Sequence, residues 1–180
     1  MKDQTPPYDP AVLDDPYAQL RPPAPTPIDE ICSCPSGTPI MLMTALGENP
    51  IHCLDCNLEV DPKTLPLPLG MVGEVAHWRW IASAFEALEL DSGAYEDLAQ
   101  RELGDLGSAV NVEGLELRQR LDGIRRCYFV LFQKMREDLE WVVPTVCPLC
   151  GGGFVEYSAG RFTRLMCEVD SLVLLNSRLC

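Results

Sequence analysis

At 180 residues and 47% hydrophobic content, the chain has enough apolar surface to build one globular core without relying wholly on metal. A net charge of −13 weighs against nucleic-acid binding, which draws on Lys and Arg at phosphates, and favours a basic protein partner. The opening MKDQTPPYDP has no apolar stretch of the kind an export signal needs, and the longest unbroken apolar run, Cys127 to Phe132, is far short of a membrane span. The expected setting is therefore the reducing cytoplasm, with no membrane association.

The first 27 residues hold eight of the sixteen prolines, which predicts an extended or loosely draped arm over 1–30. From Ile31 the texture changes. Ile40 to Ala45 is apolar, Gly47-Glu48-Asn49-Pro50 is turn-like, and Ile51-His52 leads into Cys53-Leu-Asp-Cys56, so 31–60 reads as a strand, a turn and a returning strand. The three prolines of 61–70 predict a non-helical linker.

Met71, Val75, Trp78, Ile81, Phe85 and Leu88 then recur at helical spacing and predict an amphipathic helix closed by Gly93. A short helix is expected over Ala94–Leu103 and another from about Leu115 to Arg125. CYFVLF at 127–132 reads as a buried strand, with Cys127 a plain core cysteine. The end of the chain predicts strands at Phe154–Tyr157, Phe162–Cys167 and Leu172–Leu175, the first two joined by a Ser-Ala-Gly-Arg turn. The fold class is α+β, with β-hairpins at both ends of a helical insert that spans 61–146 and holds one buried strand. Residues 147–180 form the second hairpin.

Nine cysteines with no export signal, four of them in two Cys-x-x-Cys pairs, point to metal rather than disulfides. Zinc takes four tetrahedral ligands, and a Cys-x-x-Cys turn aims two sulfurs at one point. Cys147-Pro-Leu-Cys150-Gly is the strongest such signal, because the glycine permits the left-handed backbone after the second cysteine. Three groupings fit the spacing. Cys147 and Cys150 can be completed by Cys167 and Asp170, where Cys167-Glu-Val-Asp170 repeats the Cys-x-x-Cys interval with a carboxylate last. They can instead join Cys53 and Cys56 across the insert. In the third grouping, Cys32 and Cys34 face Cys53 and Cys56 across the first hairpin. One or two structural Zn²⁺ per chain are expected.

No catalytic constellation is evident. His52 and His77 form no His-Glu-x-x-His or His-x-Glu signature, there is no Gly-x-x-x-x-Gly-Lys loop, and neither Cys-x-x-Cys pair has the βαβ context of a redox motif. His52 is expected as a solvated strand-end residue and His77 as a helix-surface one, while Trp78, Trp80 and Trp141 are expected to pack. Nucleic-acid binding would require Arg118, Arg120, Arg125, Arg126, Arg161 and Arg164 to gather on one face.

The order of parts resembles a bacterial family of uncharacterised zinc-ribbon-containing proteins for which nucleic-acid binding is suggested. The pieces that carry the resemblance are IMLMTALGENPIHCLDC, the PLPL segment, a helix carrying Trp80, CYFVLF, CPLCGG with its hairpin, FTRLMC and a closing LLN, over about residues 30 to 176. The family pattern ends in a full Cys-x-x-Cys, where this chain has Asp170. The function expected here is a non-enzymatic zinc-ribbon protein acting as an interaction or regulatory module. One form is an immunity-type protein neutralising a basic partner, a role associated with a loosely similar set of small double-Cys-x-x-Cys-Gly proteins. The alternative is a zinc-ribbon nucleic-acid binder.

Overall fold

A computed structural model describes residues 17, 26–44, 49–134, 143–160 and 162–175. Most of the proline-rich arm, residues 45–48, the polar stretch after Lys134 with Trp141, Arg161 and the closing residues from 176 lie outside these. The fold is α+β, as the patterning implies. Its elements in chain order are β1 (Ile40–Leu42), β2 (Ile51–Cys53), α1 (Leu69–Asp91), α2 (Glu96–Gly104), α3 (Ala109–Asp122), β3 (Cys127–Val130), β4 (Val155–Ala159), β5 (Phe162–Cys167) and β6 (Leu172–Leu175).

All six strands belong to one mixed sheet, ordered β2-β1-β3-β6-β5-β4. β1 pairs antiparallel with β2, and β4, β5 and β6 form an antiparallel meander. β3 joins the two sets by running parallel to both β1 and β6. The strand expected to lie within the helical insert is thus the seam of the sheet, and both hairpins continue into it.

Alternation along the strands separates two apolar faces. Ile40, Leu42, Cys127, Phe129, Leu172 and Leu174 face the helices and pack with Met71, Val72, Val75, Trp78, Val110, Leu117 and Leu121. Met41, Tyr128, Met166 and Val173 point the other way and cluster with Met43 and Leu54. Among the described residues, no helix packs on that second face. It is buried because the sheet curls, bringing its two ends together: Tyr157 on β4 donates to Asp55 beyond β2 at 2.6 Å, and Arg164 on β5 donates to Asn57 Oδ1 at 3.0 Å.

The helices depart from expectation in three places. Within the proline-rich linker, Pro62–Thr64 forms a 3₁₀ turn because the Asp61 side chain accepts from the Lys63 N–H, and α1 already starts at Leu69 behind Pro68. α3 begins at Ala109 rather than near Leu115, since Ser108 caps it by accepting from the Asn111 N–H. Trp78 is in the core, its Nε1 donating to the Val110 carbonyl at 2.8 Å, whereas Trp80 on the same helix is 61% exposed and does not pack.

Candidate metal centres

The backbone makes the same turn at both Cys-x-x-Cys pairs. At the first, Asn57 N–H donates to Cys53 O at 3.0 Å and Cys53 N–H to Leu58 O at 2.9 Å. At the second, Gly151 N–H donates to Cys147 O at 2.8 Å and Cys147 N–H to Gly152 O at 2.7 Å. The residue after the second cysteine is left-handed in each, with φ of 64° at Asn57 and 71° at Gly151. Asparagine is among the few side chains that tolerate this region, so Asn57 does what glycine does at the other turn. Ser171, after Asp170, is also left-handed at φ 55°. The Cys167-to-Ser171 turn therefore ends as the two knuckles do, with Asp170 where a second cysteine would stand.

These turns assemble two groups of four ligands. Cys32, Cys34, Cys53 and Cys56 form one; Cys147, Cys150, Cys167 and Asp170 form the other. Within each, the ligand atoms all lie within 4.8 Å of one another. A tetrahedral site with metal–sulfur bonds of about 2.3 Å needs sulfurs about 3.8 Å apart, so both groups are compact enough to hold a metal ion. The described cysteines are all free thiols. Two of the groupings inferred from spacing occur together. The one joining Cys53 and Cys56 to Cys147 and Cys150 does not form, because each pair lies in its own cluster.

The N-terminal group is built by docking 26–34 on the loop after β2. Cys32 N–H donates to Glu59 O at 2.7 Å, Glu59 N–H to Glu30 O at 3.2 Å, and Thr26 Oγ1 to Glu59 Oε2 at 3.0 Å. The result is that the Cys-x-Cys sulfurs face the Cys53 knuckle. Burial pushes the Cys32 thiol well above its ordinary range, and the Cys34 thiol, raised by burial and by its place beside Cys56, reaches about 11. Cys56 behaves in the opposite way. Burial would raise it, but the Leu58 backbone N–H and the thiols of Cys32, Cys53 and Cys34 donate to its sulfur and bring it below the usual thiol value.

In the C-terminal group the anion at the centre is Asp170. Cys147 Sγ donates to its Oδ2 at 3.0 Å and Cys167 Sγ at 3.4 Å, while the Cys150 and Cys167 sulfurs lie 3.6 Å apart. Hydrogen bonds from Cys150 and Cys147 hold the Asp170 carboxyl below the usual carboxylate range. The Cys147 thiol rises to about 12, through burial and then the adjacent carboxylate, and Cys150 rises because it donates to Asp170. Cys147 and Cys167 are buried, but Cys150 is exposed.

Neither histidine belongs to either group. His52 is buried rather than solvated, with Nδ1 2.9 Å from Asn57 O and Nε2 2.9 Å from Asn49 O, so whichever ring nitrogen carries the proton donates to a backbone carbonyl. It braces the knuckle loop. His77 is on the exposed side of α1 near Trp80, as expected. Cys127 is a fully buried core residue on β3, its thiol raised by that burial. Sequence alone assigns no role to Asn57 or Tyr157, and Arg164, expected on a nucleic-acid face if anywhere, instead meets Asn57 beside the first knuckle. Asn57 alone had a local signal, its position directly after Cys56.

No match was found among models of known families, curated proteins or solved structures. Among the described residues, no helix is long and apolar enough to cross a membrane.

Proposed function

We propose that both clusters hold structural Zn²⁺ and that the chain is a non-enzymatic zinc-ribbon protein acting as an interaction or regulatory module for a protein partner. Zinc is the metal that best suits sites dominated by thiolates, and closed four-ligand sets are structural rather than catalytic. The zinc-ribbon family named above is compatible with this reading, as is an immunity-type role against a basic partner.

The observation that carries the choice of partner is the fate of the arginines. Arg120 pairs with Glu74, Arg126 with Asp122 and Glu168, and Arg164 is buried. Arg164 is thereby withheld from phosphates, and the surface acids paired with Arg120 and Arg126 compete with phosphate for them, which speaks against the nucleic-acid alternative. Apolar surface is instead displayed around the C-terminal knuckle, where Val146, Leu149, Val155 and Val169 are exposed. Leu149 and Val169 border a cleft of about 340 Å³ against Val112 and Leu115 of α3, with Glu116, Arg118 and Gln119 also on its wall. Exposed apolar side chains on a chain of net charge −13 suit a basic, partly apolar protein surface.

Native mass spectrometry on protein purified under reducing conditions tests the metal assignment. Two zincs are expected, one lost in Cys53→Ala and the other in Cys167→Ala. A folded protein with no zinc would end this reading. A gel shift at low salt tests the partner class: no binding to single- or double-stranded nucleic acid is expected, and a salt-sensitive shift would restore the alternative.

A further inference from the structure

Arg164 is buried, at 2% exposure, on the curled face of the sheet. Its Nη2 donates to Asn57 Oδ1 at 3.0 Å and its guanidinium lies 5.0 Å from the centre of the Phe162 ring. Nε and Nη1 have no hydrogen-bond partner among the described residues. Burying an arginine this way is unfavourable unless negative charge stands nearby. Asp55 contributes one such charge, but it also accepts the 2.6 Å hydrogen bond from Tyr157. The Arg164 hydrogen bond goes to Asn57, the residue that closes the Cys53–Cys56 turn, and this places the cation against the first knuckle.

A divalent ion held by four thiolates has a formal charge of about −2. In the N-terminal group that excess would sit inside the Cys53–Cys56 turn, the place toward which the second half of the chain directs its one buried guanidinium among the described residues. We propose that Arg164 is the charge-compensating residue of the N-terminal metal centre, so that metal binding there locks the β4–β5 hairpin onto the first knuckle. This rests on reading Cys32, Cys34, Cys53 and Cys56 as a metal site.

The physical link is short. Asn57 closes the knuckle through its N–H to Cys53 O and receives Arg164 through its side chain. Arg164 and Cys167 share β5, so the strand that answers the charge of one centre supplies a ligand to the other. Without metal, thiols replace thiolates and the guanidinium loses most of its counter-charge. Loading the N-terminal centre thus orders the strand that presents Cys167, and filling of the two centres is positively coupled.

The test uses zinc alone, in competition with a chromophoric chelator, in a Cys150→Ala background that isolates the N-terminal centre. Arg164→Met is expected to weaken zinc there by about 10–100-fold, the usual effect of removing an outer-shell partner, and Arg164→Lys to recover a large part of the loss. Hydrogen exchange across residues 155–167 should slow on zinc addition in the parent and not in Arg164→Met. Should Arg164→Met fail to fold, Asp55→Asn replaces it: with zinc it is expected to fold and bind at least as tightly as the parent, and to lose hairpin protection on chelation. Parental affinity in Arg164→Met, or an Asp55→Asn protein that zinc cannot hold folded, overturns the proposal. If the parent binds no zinc at these cysteines, the metal reading itself fails, a separate result.

Discussion

Trp78 and Gly114 meet where α1 crosses α3, and a Cβ built on Gly114 would lie 2.7 Å from Trp78 Nε1 and 2.6 Å from Phe129 Cε2. Neither neighbour can yield easily. Trp78 is held by its hydrogen bond to Val110 O, and the Phe129 ring is wedged between the sheet and the helices, 6.0 Å from the tryptophan ring. Glycine inside a helix ordinarily costs about 0.5–1 kcal/mol relative to alanine, so Gly114→Ala would stabilise a free helix. Here overpacking reverses the sign. We expect a net destabilisation of about 1–3 kcal/mol, read as a lower denaturation midpoint at unchanged slope. An unchanged or raised midpoint would show that the two helices can separate to admit a methyl group.

Asn111 contributes a second constraint on the same helix pair. Its Nδ2 lies within hydrogen-bond distance of the carbonyls of Glu102, Leu103 and Asp105, at 3.2, 2.8 and 2.9 Å, and so satisfies the end of α2 from the first turn of α3. Replacing it by alanine leaves the buried Leu103 carbonyl without its donor, while Ser108 still serves Glu102 O and Asp105 O, and is expected to cost about 1–3 kcal/mol. Asn111→Asp, similar in shape but without the amide donors, should be at least as harmful. Chemical denaturation of both variants checks this, and an alanine variant as stable as the parent would mean that water replaces the amide.

These two residues show where sequence reading stops. Asn111 and Gly114 are poor helix formers, and they hid the first six residues of α3 even though Ser108 is an ordinary N-cap. Gly114 is there for Trp78 and Phe129, far along the chain, and Asn111 for carbonyls at the end of the preceding helix, and helical periodicity reports neither. The converse holds for the last two strands, Phe162–Cys167 and Leu172–Leu175, which were read to the residue because β-branched, aromatic and leucine-rich runs were bounded by turn residues on either side. Sequence spacing supplied every ligand of the two clusters but left the grouping open, since the choice depends on β3 seating both hairpins in one sheet. The parallel pairings of β3 with β1 and β6 involve residues far apart along the chain and leave no local mark.

Glu86 on α1 gives the fold a pH dependence separate from the cysteines. Burial raises its carboxyl above the usual range, only partly opposed by a hydrogen bond from Thr44, with Glu89 pushing it further up and Arg79 pulling it down. A carboxyl whose folded pKa exceeds its unfolded one favours folding while protonated, and this advantage is lost as pH rises through the folded value. At neutral pH the ionised group therefore weakens the fold. Glu86→Gln should raise the melting temperature at pH 7, and the gain should shrink as pH falls through the carboxylate range. Melting curves for the two proteins at pH 7 and pH 4 decide it: an equal gain at both would trace the effect to packing rather than ionisation.

With both groups holding metal as proposed, Asp170 is expected to make the C-terminal site the weaker of the two. It supplies a hard oxygen where the N-terminal group has a fourth sulfur, and its neighbour Cys150 is exposed to solvent, so a chelator can reach and displace ligands there first. Stepwise removal of metal should thus empty the Cys147, Cys150, Cys167 and Asp170 group before the Cys32, Cys34, Cys53 and Cys56 group. Asp170→Cys completes a four-thiolate set at a turn whose following residue, Ser171, already has the left-handed backbone of a knuckle, so the new sulfur needs no change of chain path. It is expected to slow metal loss from that site on the order of ten-fold or more, while Asp170→Ala speeds it. Native mass spectrometry during chelator titration resolves the two ions. Loss of the N-terminal ion first would overturn this order, and no slowing in Asp170→Cys would mean that exposure of Cys150, not the carboxylate, governs release.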